Sequence, residues 1–115
     1  MELLIKGKNL EVSDSIRAHA ERKFAKINRL THPGTRVELE LAVEKNPSVA
    51  AHEIAEVTVW LKGRTLRCKE AARDMKAAID EVADKLQREL TELRDKRVTK
   101  RRSVVDPATG GDLPA

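Results

Sequence analysis

Between Lys85 and Arg102 the chain reads KLQRELTELRDKRVTKRR, in which eight Lys or Arg residues face three carboxylates, a balance of +5 in a chain whose formal net charge is +4. Ammonium and guanidinium groups at this density do not attack carbonyls or shuttle protons at neutral pH. They bind phosphates and other polyanions, with an affinity that falls as salt rises. No competing chemistry stands elsewhere in the chain. Cys68 is the single cysteine, so it has no internal disulfide partner, and it reads as a small buried hydrophobe. His19, His32 and His52 lie far apart, with none of the short spacings that a metal site or a catalytic helix requires. No nucleophile has a base nearby in sequence, and no glycine-rich phosphate loop is present. Neither an enzyme nor a cofactor, a metal or a small-molecule substrate is expected.

The elements that must carry these cations follow from hydropathy patterning. At 115 residues, with 40% hydrophobic and 37% charged residues, the chain fits one domain with a dense charged surface. Its apolar runs are too short to span a bilayer, and Met1 leads directly into a strand pattern rather than a signal peptide, so a cytoplasmic location is expected. Leu3 and Ile5 alternate with polar neighbours over Glu2 to Lys6, a short strand closed by Gly7. Ser13 is placed to cap a helix in which Ile16, Ala20, Phe24, Ile27 and Leu30 form one stripe, ended by Pro33 and Gly34. RVELELAVEKN sends Val37, Leu39, Leu41 and Val43 one way. HEIAEVTVWL does the same with Ala55, Val57, Val59 and Leu61, and TLRCK returns after Gly63 with Leu66 and Cys68 inward. A long helix is expected from about Glu70 to about Val98.

The order is β-α-β-β-β-α, an α+β two-layer α/β sandwich: a four-stranded sheet with two helices packed on one face. The first two strands, bridged by a helix, should be parallel, and the rest an antiparallel meander. On the last helix the stripe Met75, Ile79, Val82, Leu86, Leu90 and Leu93 has a period of about 3.6 residues, which suits packing on a sheet, whereas a heptad from Met75 meets Glu89. Beyond Leu93 the stripe turns cationic at Arg97 and Lys100, so apolar cover must stop there. A helix of that span is about 43 Å long, and a strand of eight or nine residues about 28 Å, so the basic end should overhang the core.

On the first helix, Arg22, Lys26 and Arg29 lie away from the buried stripe, with Lys23 on the flank. The two helices therefore present adjoining basic ridges, while the open sheet face is expected to collect Glu38, Glu40, Glu44, Glu53 and Glu56. With Trp60 its only aromatic, that face does not suit an RNA-recognition-motif type of base stacking. The two-helix surface suits a folded RNA read by shape and backbone charge. The alternative is a protein-interaction or regulatory module that docks a partner on the long second helix, with the basic residues merely solvated.

RDMKAAIDEVADKLQRELTELRDKR resembles the second-helix signature of the ribosome hibernation-promoting factors, also called ribosome-associated inhibitor or sigma-factor modulation proteins, and RKFAKINRL is similar to their first-helix pattern. The likeness covers roughly residues 1 to 100, and the family's fold has the same element order. The resemblance implies a non-catalytic protein that binds the small ribosomal subunit in the channel used by messenger and transfer RNA. Overlapping the decoding and peptidyl sites, it would inhibit translation and preserve idle ribosomes under stress or in stationary phase. Carried over by position, the rRNA contacts would be Lys23, Lys26, Lys85, Arg88, Arg94 and Lys96, to which the helical wheel adds Arg22, Arg29 and Arg97. Lys76 stands where the family often has tyrosine, and Glu92 where some members are basic. Residues 1–98 are expected to form the ribosome-binding domain, and 99–115 a basic, then Pro- and Gly-containing, disordered tail or linker. Long members continue through such a linker to a second domain, so homodimerisation is expected only through a C-terminal domain that this chain lacks, whether as a naturally short or a truncated form.

Overall fold

The computed structural model describes residues 1–46 and 48–105, the last ten as helix backbone only. Its elements are β1 (Glu2–Gly7), α1 (Asp14–Ala25), a 3-10 turn (Asn28–Leu30), β2 (Arg36–Val43), β3 (Glu53–Leu61), β4 (Arg64–Ala72) and α2 (Met75–Val105). The strands lie side by side in sequence order. β1 pairs parallel with β2, Ile5 opposite Leu39, as its helical crossover demands. β2–β3 and β3–β4 are antiparallel, with Leu39 opposite Val57 and Val57 opposite Cys68. The expected α+β order is thus the observed one.

Period-two alternation produces the core directly. Val37, Leu39 and Leu41 of β2, and Ala55, Val57 and Val59 of β3, are fully buried on one sheet face. Phe24 and Ile27 of the first helical segment, and Ile79, Val82 and Leu86 of α2, cover them with 0–1% exposure. Three expected inward residues miss this cover, among them Leu61, which is only partly buried at the end of β3. Val43, at the end of β2, is 43% exposed, and Leu66 is only partly buried in the cluster.

Boundaries differ in two places. α1 ends at Ala25, and the chain tightens so that the Ile27 N–H donates to the Phe24 carbonyl at 3.0 Å, which keeps Ile27 buried before the 3-10 turn. α2 begins at Met75, not near Glu70, because β4 stays in register with β3 through Glu70, Ala71 and Ala72. Asp74 then caps the helix, its carboxylate accepting from the Ala77 N–H at 2.8 Å. At the other end the helical backbone runs to Val105, past the expected Val98. The expectation of a disordered tail falls, from residue 106 on, outside the described residues.

Gly63 and Gly7 each require glycine, for different reasons. Gly63 is the second residue of the two-residue β3–β4 turn and has φ +82°, a value L side chains resist. Gly7 has no such backbone requirement, but a Cβ there would overlap the Leu10 carbonyl oxygen where the chain turns out of β1.

Candidate nucleic-acid interface

The helical layer is held in place by local signals. Ser13 Oγ accepts from the Ile16 N–H at 3.2 Å and starts α1, and Arg22 and Lys23 sit in its last turn, where cations complement the helix dipole. With Ala20 and Phe24 buried, Arg22 and Lys26 are exposed on the opposite side, and Arg29 is exposed on the 3-10 turn. On α2 the buried stripe runs Ile79, Val82, Leu86, Leu90; Arg88 is exposed opposite to it, and Arg94 is exposed one turn past Leu90, near the line of the stripe. Among the described residues, no carboxylate oxygen lies within 4.0 Å of the charged groups of these five cations.

Lys23 and Lys85 are placed differently. Lys23 Nζ lies 3.8 Å from Asp80 and 4.0 Å from Asp84, and its side chain is 26% exposed. Lys85 turns to the sheet, 3.4 Å from Glu70 of β4, rather than to Glu81 on its own helix. The two lysines therefore lie on opposite flanks of α2, one toward α1 and one toward β4. The side chains of Lys96 and Arg97 lie outside the described residues, although the helix that carries them is continuous from Met75.

Sequence reasoning missed the seam between the helices. His19 Nε2 is 2.6 Å from Asp80 Oδ1, and Lys23 reaches the same oxygen, so an acidic strip separates the two basic ridges. The signal was present as two i, i+4 pairs of opposite sign, His19 with Lys23 and Asp80 with Asp84.

The open sheet face also differs from expectation. By register, its rows across β1 to β4 are Glu2, Arg36, Trp60, Thr65; then Leu4, Glu38, Thr58, Arg67; then Lys6, Glu40, Glu56, Lys69. Glu38, Glu40 and Glu56 are there as expected, but Lys6 contacts Glu38 at 3.4 Å and Glu40 at 3.7 Å, and Lys69 lies opposite Glu56. Glu53 has the parity of Ala55 and so belongs to the helix-facing side, and Glu44 lies beyond β2. This face is mixed in charge, not acidic.

Buried Cys68 has its thiol pushed up to about 11 by burial and, next, by the negative charge of the Glu89 carboxylate. It is a core residue and offers no nucleophile.

The family described as "Sigma 54 modulation protein / S30EA ribosomal protein" matches residues 3–98. A Picosynechococcus protein named ribosome hibernation promotion factor is 34% identical over 105 residues, covering 90% of this chain and 54% of that protein. The Escherichia coli K12 ribosome hibernation promoting factor is 33% identical over 96 residues, covering 84% of this chain and 96% of that protein. The chain thus spans about half the length of the first relative and nearly all of the second. Among solved structures, the N-terminal domain of Thermus thermophilus Protein Y superposes with a TM-score of 0.66 at 30% identity, over 81% of this chain and 99% of that one. A ribosomal subunit interface protein from Coxiella burnetii shares the fold, with a TM-score of 0.67 at 19% identity over 83% of this chain and 99% of that one. With its β-α-β-β-β-α order, its capped and cation-bearing helices and this match across nearly all of its folded length, the chain belongs to the sigma 54 modulation protein / S30EA ribosomal protein family.

Proposed function

We propose that this chain is a ribosome hibernation factor, a non-catalytic cytoplasmic protein that binds small-subunit rRNA. It lies in the channel used by messenger and transfer RNA, across the decoding and peptidyl sites, and so inhibits translation and preserves idle ribosomes under stress. One observation carries the reading: Arg22, Lys26, Arg29, Arg88 and Arg94 are all exposed on the helical layer with no carboxylate within 4.0 Å among the described residues. Cations so placed meet phosphates by shape and charge and require no base readout. The relatives' names, which speak of ribosome hibernation, support a ribosomal partner.

Co-sedimentation with small subunits across a salt series tests it. The chain should pellet with subunits at low salt and be released as salt rises, since each phosphate contact contributes a slope of about −0.7 to −0.9 in log K against log salt. The double variant K26E/R88E should bind at least about tenfold more weakly and show a shallower slope. Unchanged binding by that variant would contradict the proposal.

A further inference from the structure

Row by row, the open sheet face is neutral in charge, and an excess of cations appears only where Lys62 and Arg64 of the β3–β4 turn are added. There Trp60, the chain's single tryptophan, is 38% exposed, and the Arg36 guanidinium carbon sits 4.8 Å from its ring centroid. Arg67 lies one row away and Lys62 precedes Gly63 in the turn, while Arg64 opens β4 with the helix-facing parity of Leu66 and Cys68. All four cations are exposed, and among the described residues no carboxylate oxygen lies within 4.0 Å of their charged groups. Glu2 shares the row but stays outside that distance. The contrast with the adjoining carboxylates is physical: Glu38 and Glu40 are held by Lys6, which leaves Arg36 and Arg67 uncompensated.

We propose that this end of the sheet is a second nucleic-acid site, which takes a short single strand of RNA. One base stacks on the layered Arg36–Trp60 pair, and its neighbouring phosphates meet Arg67 and Lys62. The chemistry fits a single strand and not a duplex, because an aromatic ring with a guanidinium over it can be met only by a base with a free face. One tryptophan serves one base, so affinity is shared between that stack and the phosphate contacts. The site goes beyond the function proposed above and uses the layer opposite the helical ridge.

Because Trp60 is the only tryptophan and the chain has no tyrosine, its emission reports this site alone. The full chain, both unaltered and carrying K26E/R88E to weaken binding on the helical layer, is titrated with single-stranded octa-adenylate. Parallel titrations use inorganic polyphosphate and polyglutamate. Saturable quenching by the RNA in both proteins is expected, with much smaller changes from the other two polymers. By anisotropy of end-labelled RNA in the K26E/R88E background, Trp60→Leu should weaken binding about tenfold, the scale of one lost base stack. Arg67→Glu, which keeps the fluorophore, should shift the quenching curve to higher RNA concentration. Trp60 is exposed, so its replacement leaves the core intact, and circular dichroism checks this. Emission that does not change at saturating RNA, or equal affinity after Trp60→Leu, would overturn the proposal. So would quenching by polyglutamate that matches the RNA, which would make an acidic protein segment the occupant.

Discussion

Lys23 sits 3.8 Å from Asp80 and shares its oxygen with His19, while Lys85 meets Glu70 across the sheet edge. Partly exposed pairs of this kind contribute little to stability, but they lower the charge that either lysine offers a phosphate. Arg88 and Arg94, exposed and free of such partners among the described residues, retain theirs. All these cations were legible from residue type and helical phase. Their pairing was not, because it depends on which flank of α2 faces α1 and which faces β4. Cys68 shows the same division: its burial was legible from strand alternation, and the Glu89 carboxylate beside it was not. The thiol is held protonated in the fold to about 11, against an ordinary value of 9.0. A raised acid value means that the folded state keeps a proton the unfolded chain has already lost, so the stabilising contribution is complete below pH 9 and disappears as pH rises towards 11. Cys68→Ala should therefore unfold with a flatter alkaline limb, the difference in slope being at most about 1.4 kcal/mol per pH unit. Urea melts of both proteins between pH 8 and 11 measure it, and parallel limbs would refute the assignment.

At the scale of elements, strands and helix faces followed their periods closely, and the errors lie at ends. KEAARDMKAA is rich in good helix formers, so local propensity puts the start of α2 near Glu70. Pairing with β3 overrides that propensity through Ala72, and the capping aspartate at Asp74 sets the true start. The cap was visible in the sequence, since Asp74 precedes the first residue of the apolar stripe, Met75. Asp74→Ala leaves the Ala77 N–H without its acceptor and should cost about 1 kcal/mol, read as a lower thermal midpoint with unchanged helical content at low temperature. A midpoint equal to that of the unaltered chain would show that the first turn is held by packing alone. The later start has a consequence for the interface. It moves the helix along the sheet, so that residues near Arg94 lie level with the β3–β4 turn and the helix continues beyond it to Val105.

At the scale of the whole molecule, topology gathers cations at one end. α1 delivers the chain to the 3-10 turn with Arg29 beside the start of β1, where the Met1 ammonium donates to Asn28 Oδ1 at 3.1 Å. Arg36 opens β2 at that end, Lys62 and Arg64 flank the turn there, and α2 runs back past it. A polyanion could thus follow the helical layer and round the turn onto the sheet. The sheet itself was expected to be acidic and is not. Counting glutamates along β2 and β3 left out the edge strands, which contribute Lys6, Arg67 and Lys69. No helix among the described residues is long and apolar enough to cross a membrane. The central claim is that the helical layer meets small-subunit rRNA, and a structure of the chain bound to the small subunit tests it most directly. The account requires density in the messenger and transfer RNA channel with Arg22, Lys26, Arg29, Arg88 and Arg94 facing rRNA phosphates. Density outside that channel, or α2 turned against a ribosomal protein with those cations in solvent, would contradict it.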